Sequence, residues 1–128
     1  MQDIFSLKGK IILITGASSG IGRAVAQQCA AAGATCIITA RNQDRLKNTL
    51  ESLPGEGHQM ILSDLSLEEA ISKLVINLSK VNGVVCCAGV VETKMLKFTD
   101  EDDLQRLFST NTFSTIRLIR DMVQQKKL

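Results

Sequence analysis

The chain has 128 residues, the size of one domain, and a domain of this length buries about two-thirds of the surface its unfolded chain exposes, so residues 1–128 are expected to form one compact unit. Its 45% hydrophobic and 22% charged content excludes a disordered or fibrous chain. The net charge of +2, from 15 basic and 13 acidic residues scattered without a stripe or tail, argues against nucleic acid or a membrane surface as partner, and Lys126-Lys127 reads as a solvated helix end.

The apolar run Ile11 to Ile14 is too short for a signal-peptide core or a membrane span, which points to the cytoplasm. Cys29, Cys36, Cys86 and Cys87 show no CxxC spacing, and reduced, buried thiols are expected rather than disulfides or a metal site.

Strand and helix signals alternate from end to end, the pattern of an α/β domain with a parallel sheet. Lys10 to Thr15 is a continuous apolar run, as for a strand covered on both faces. Ile21 to Ala32 places Ile21, Val25, Cys29 and Ala32 on one helical face, and Gly33 stops the helix. Ala34 to Ala40 is the second strand. Leu46, Leu50 and Leu53 share a face of a second helix, ended by Pro54-Gly55.

His58 to Leu62 is a third strand, with His58 a surface or packing residue. Ser66 to Glu69 has capping-box spacing and opens a helix whose face is Leu67, Ala70, Ile71, Leu74, Val75 and Leu78. Gly83 to Cys87 is the fourth strand. Neighbouring cysteines on a strand point to opposite faces, so Cys86 and Cys87 are not expected to pair. After a loop from Ala88 to Lys97, Thr99 can cap a helix whose first turn is Asp100 to Asp103, a run better read as a helix start than as a metal site. Helical spacing continues through Leu104, Leu107 and Phe108, then Phe113, Ile116, Ile119 and Val123. The economical reading is βαβαβαβα with helices on both faces of the sheet.

Gly16, Gly20 and Gly22 follow a strand and open a helix, the context in which glycines signal phosphate binding. Without side chains the backbone turns tightly and approaches a pyrophosphate, whose charge faces the helix N-terminus. Ser18 and Ser19 add hydroxyl donors. The spacing is GxxxGxG rather than GxGxxG, and the absence of a following Gly-Lys-Ser/Thr excludes a Walker loop. Taken alone, the glycines also fit a purely structural turn. At the end of the second strand, where a site that prefers NAD carries an acidic residue, stands Thr39-Ala40-Arg41-Asn42: either Arg41 lies where the 2′-phosphate of NADP would sit, or it is a solvated charge.

With these features together the chain resembles the N-terminal, cofactor-binding half of the short-chain dehydrogenase/reductase family, whose TGxxxGIG motif Thr15 to Gly22 matches without a gap. The resemblance covers essentially the whole chain and implies a Rossmann-type doubly wound parallel sheet, here ending after the fourth strand and its following helix. It implies that Ser18, Ser19 and Ile21 line the cofactor together with the glycines, that Arg41 favours NADP over NAD, and that Asp64 and Leu65 contact the adenine. It further implies that Ala88 and Gly89 approach the nicotinamide-side ribose, with Cys87 at the same turn. Asn111 falls where the family places the asparagine of its catalytic tetrad, which holds a water in a proton relay. Read without the resemblance, Asn111 would cap or kink a helix.

Two departures qualify the resemblance. Cys86-Cys87 replace the usual Asn-Asn of NNAG, so hydrogen bonds from those amides are expected to be weakened or lost. The family's serine and YxxxK motif lie beyond the fourth strand, and this chain contains no tyrosine. The expectation is therefore a fragment of a longer NADP(H)-dependent reductase acting on a small carbonyl or alcohol, inactive alone, with the fourth strand at an open edge covered by association. The full-length protein is expected to form homodimers or homotetramers through the helix near Asn111. A non-catalytic dinucleotide-binding module is the alternative, and an epimerase or enoyl reductase on the same fold stays open.

Overall fold

A computed structural model describes residues 3–128. Four parallel strands, β1 (Ile11–Thr15), β2 (Thr35–Ala40), β3 (Gln59–Leu62) and β4 (Gly83–Cys86), lie in the order β3-β2-β1-β4. Helices α1 (Gly20–Ala31), α2 (Gln43–Ser52) and α3 (Glu68–Asn77) make the crossovers, and α4 (Glu101–Phe108) and α5 (Ser114–Gln124) follow β4.

Alternation along the central strands sorts the core into two layers, since successive side chains point to opposite faces. Ile12, Ile14, Cys36 and Ile38 pack against Ala26 and Ala30 of α1 and Leu46 of α2. Leu13 and Ile37 face the other way, onto Ile71, Leu74 and Val75 of α3 and Leu118 and Met122 of α5. Each of the larger aliphatic side chains buried here stabilises the fold by about 1.5–3 kcal/mol. The sheet grows to one side of β1 through β2 and β3 and to the other through β4, so the direction in which strands are added reverses at β1 and β4. The crevice beyond the strand ends opens at such a reversal.

Several local expectations are corrected. The buried face of α1 is Gly22, Ala26 and Ala30, whereas Ile21 is 77% exposed and Val25 and Cys29 only flank the core. The reason is proximity: a Cβ on Gly22 would lie 2.1 Å from the Gly16 carbonyl oxygen, so the helix sits too close to the strand-end turn for bulky side chains. Ser66 does not cap α3. Its N–H and hydroxyl both donate to Asp64 Oδ1 (3.0 and 2.7 Å), an Asx turn that pulls the helix start to Leu67, which is exposed. Asp100, not Thr99, caps α4, in a reciprocal capping box with Asp103.

The largest correction concerns the chain after β4. Leu104, Phe108, Phe113, Ile116 and Val123, which carry the helical spacing in the sequence, are exposed, while Asp103, Ser114, Leu118, Asp121 and Met122 are buried. A π-helical segment, Ser109–Phe113, joins α4 to α5 where the sequence shows continuous helical spacing. Of the thiols, only Cys36 is fully buried; Cys29 and Cys87 are half-buried and Cys86 is exposed, all four free. Lys127 is half-buried rather than solvated: its ammonium donates to the Leu78 carbonyl beyond α3 (2.5 Å), where a cation offsets the negative end of the helix dipole. His58 is a packing residue, accepting from Cys36 N–H (3.0 Å) and meeting the Pro54 carbonyl (2.7 Å).

Candidate functional site

At the C-terminal ends of the strands lies an open cleft of about 710 Å³. Its first wall is the turn from β1 into α1. Gly16 has φ 63°, and a Cβ there would meet Ala88 N and the Cys87 carbonyl at 2.6 Å, so only glycine lets this turn close against the end of β4. Gly20 is left-handed too, φ 53°, but faces open space. Ser19 is the N-cap of α1 and its side chain makes no capping bond, so the first-turn amides of the helix face the cleft without a side-chain acceptor. That is a cradle for an anion, with Ser18 and Ser19 beside it.

Thr15 fixes the opposite wall. Its hydroxyl accepts from Cys87 N–H (3.1 Å) and Ala88 N–H (3.2 Å), tying the end of β4 to the end of β1. These two bonds hold the turn that follows β4. Cys87, Ala88 and Gly89 all line the cleft there. Cys86, exposed, lies off the cleft.

The far end is charged. Arg41 and Arg45 stand after β2, and Asp64 and Leu65 after β3. The Ser66 hydroxyl bond holds the Asp64 carboxyl below the usual carboxylate range, against burial, with smaller lowering from the Ser66 N–H and the Arg41 charge. Asp64 is thus a fixed acceptor at neutral pH. The lining offers backbone amides, serine and threonine residues, two guanidinium groups and the Asp64 carboxylate, a set that can bind and orient a polar, anionic ligand.

All twelve residues expected at a cofactor, from Gly16, Ser18, Ser19, Gly20, Ile21 and Gly22 through Arg41, Asp64 and Leu65 to Cys87, Ala88 and Gly89, come together along this one cleft. Asn111 does not line it. It stands in the π-helical segment and spends its amide on one residue: Oδ1 accepts from Val90 N–H (2.7 Å) and Nδ2 donates to the Val90 carbonyl (2.8 Å). Its side chain caps no helix; it pins the loop after β4. Sequence reasoning missed Thr15 as a tie, and Thr39, Arg45 and Ser63 as lining residues. A threonine at or next to the end of each central strand was the available signal. No cluster of potential metal ligands occurs among the described residues, and no helix is long and apolar enough to cross a membrane.

Comparison with known proteins agrees with this geometry. The model of the short chain dehydrogenase family matches residues 10–127. The chain is 32% identical over 122 residues to the 3-oxoacyl-[acyl-carrier-protein] reductase FabG of Salmonella typhimurium, covering 93% of this chain and 50% of that protein. It is 29% identical over 111 residues to carbonyl reductase family member 4 of Danio rerio, covering 84% and 47%. Among solved structures, the Pseudomonas aeruginosa RhlG/NADP active-site complex superposes with a TM-score of 0.88 at 30% identity, over 96% of this chain and 50% of that one. The chain spans about half the length of the curated relatives it matches.

Proposed function

This chain belongs to the short-chain dehydrogenase family, and on that footing we propose that it is the dinucleotide-binding part of an NADP(H)-dependent oxidoreductase that interconverts a small carbonyl and an alcohol. The observation that carries the reading is the cleft itself: an uncapped helix N-terminus at a glycine turn that admits no Cβ, continuous with Arg41 beyond β2.

When bound, the nicotinamide supplies or accepts the hydride. The residues of this chain bind and orient: the α1 amides with Ser18 and Ser19 take the pyrophosphate, Asp64 and Leu65 border the adenine, and Cys87 to Gly89 border the nicotinamide side. Asn111 acts at one remove, by fixing Val90, and it is also our candidate for the water-holding member of the proton relay. The name of the superposed NADP complex supports NADP as cofactor, and so does a cation in place of an acidic residue after β2. Four thiols with no partner among the described residues suit the cytoplasm. Pairing into a homo-oligomer through the exposed α4–α5 stripe accounts for its apolar character.

Fluorescence titration with NADPH and NADH tests the cofactor choice. NADPH is expected to bind tighter, and Arg41→Ala to weaken NADPH by about ten- to a hundredfold with little effect on NADH, the scale of one charge-assisted hydrogen bond. Tighter binding of NADH with no loss in the variant sinks the assignment. Reading the coding sequence beyond Leu128 tests the reaction: a serine followed by YxxxK is expected, and their absence favours a non-catalytic dinucleotide-binding module.

A further inference from the structure

Basic residues that stand apart in the sequence gather in the fold. The strands are all parallel, so they begin together at the end of the sheet opposite the cleft. Lys10 immediately precedes β1, and its carbonyl accepts from Thr35 N–H at the start of β2 (2.9 Å). Beside it, residues 80–82 lead into β4. Asn82 N–H donates to the Ile11 carbonyl (2.8 Å), and Val81 N–H donates to the Lys127 carbonyl (2.7 Å), which brings the end of α5 to the same place. Lys8 stands in the turn that Lys10 N–H closes onto the Leu7 carbonyl (2.9 Å).

Lys8, Lys10, Lys80, Lys126 and Lys127 thus share one end of the fold. All but Lys127 are exposed, and among the described residues none of the five forms a salt bridge. Glu51 and Glu56 of the same end lie toward β3, beyond β2, and the Asp3 carboxylate accepts from Phe5 N–H (2.9 Å). Two further features mark this face. Ile4 and Phe5, 86% and 79% exposed, stand just before Lys8, where Ser6 N–H closes a turn onto the Asp3 carbonyl (3.1 Å). Lys126 follows the C-cap of α5 with φ 55°, the one positive φ outside glycine among the described residues. Glycine takes that conformation without strain and is the usual residue there, so folding alone does not select a lysine.

We propose that this end of the fold is a docking surface for an anionic lipid bilayer: Lys8, Lys10, Lys80 and Lys126 meet the headgroups while Ile4 and Phe5 enter the interface. An ammonium is a compact point charge without the planar fork of arginine, and lysine is depleted at protein interfaces, so an all-lysine set suits a diffuse negative surface better than a protein partner. Attachment to a bilayer grows with buried apolar area and with attraction to anionic lipid, and this face supplies both. The cleft, at the other end of the strands, stays open to solution.

Sedimentation of the 128-residue chain with vesicles of phosphatidylcholine containing about one-third phosphatidylglycerol tests this, with phosphatidylcholine alone as the neutral surface. The chain is expected to bind the anionic vesicles at low salt, to bind neutral ones at least about tenfold more weakly, and to be released at about 0.5 M salt. Lys10→Glu with Lys80→Glu is expected to weaken binding at least about 25-fold, since each lysine at an anionic surface is worth about fivefold. The same charge change on α2 and α3, Lys47→Glu with Lys73→Glu, is expected to cost less than about threefold. Lys126→Gly is expected to bind about fivefold more weakly while its Tm equals or exceeds the parent's, and Ile4→Ser with Phe5→Ser about tenfold more weakly at equal salt. No binding to anionic vesicles at low salt, equal losses in the two glutamate pairs, or parent-like binding by Lys126→Gly overturns the proposal. So does tighter binding to a DNA duplex or to polyglutamate than to the anionic vesicles at the same salt, which would assign the lysines to another polyanion.

Discussion

At the residue scale the three glycines of the turn differ in what they do. Gly22 exists because α1 touches the strand-end turn, Gly16 because that turn touches β4, and Gly20 because its backbone is left-handed. Two of the three are thus demanded by packing before any ligand arrives, and the turn's closeness to β4 is what brings both walls of the cleft together. Gly22→Ala is expected to destabilise the chain by about 1–3 kcal/mol, since its Cβ meets backbone that cannot swing aside. Urea denaturation checks this; a loss under about 0.5 kcal/mol would show that the helix shifts freely. The replacement of the usual amides by Cys86-Cys87 matters less than the sequence suggests, because Thr15 holds the backbone of Cys87 and Ala88.

At the scale of elements, the loop from Val90 to Phe98 has no repeating pattern in sequence, yet it is anchored at three points. Asn111 grips Val90, Arg106 pairs with Glu92, and Lys94 reaches Asp103 at 2.5 Å. Asp103 is the hub, also accepting from Asp100 N–H (3.1 Å) and Arg106 (2.9 Å). Lys94 first, then the Asp100 N–H and Arg106, hold its carboxyl well below its ordinary value of 3.8. The unfolded chain therefore takes up this proton before the folded one does. The stabilisation is complete above the unfolded value and disappears as pH falls through the folded one, over roughly pH 4 downward. Asp103→Asn is expected to lower Tm at neutral pH and to flatten its decline in acid, as melting curves across that range would show. An acid decline as steep in the variant as in the parent counts against Asp103 as the hub. Asn111→Ala frees Val90 and is expected to raise hydrogen exchange at the Val90 N–H without unfolding the sheet.

For the whole molecule, the decisive feature is the order β3-β2-β1-β4, which puts one crevice over the β1–β4 reversal and leaves β4 paired on one side only among the described residues. Beside that edge, the stripe of Leu104, Phe108, Phe113, Ile116 and Val123 is apolar and exposed. Phe108 and Phe113 stack tilted at 6.2 Å within it, and the Arg117 guanidinium lies 5.9 Å from the Phe113 ring. If this stripe is the self-association face, Ile116→Glu with Val123→Glu converts the oligomer to monomer in sedimentation velocity and leaves dinucleotide affinity unchanged. A parent chain that sediments as a monomer at high concentration would refute it.

The sequence by itself determined the order of elements, the glycine turn and the cluster of residues lining the cleft, because these depend on local rules: strand runs, helix stops and a contiguous motif. Tertiary structure decided which faces are buried. Small residues won on α1 because the helix lies against the turn, and the apolar stripe of α4 and α5 is exposed because no described element packs on it, which helical spacing alone does not reveal. It also decided the partners of Thr15, Asn111 and Asp103 and the lack of one for Thr39, since a hydrogen bond between residues far apart in the chain depends on where the backbone brings them.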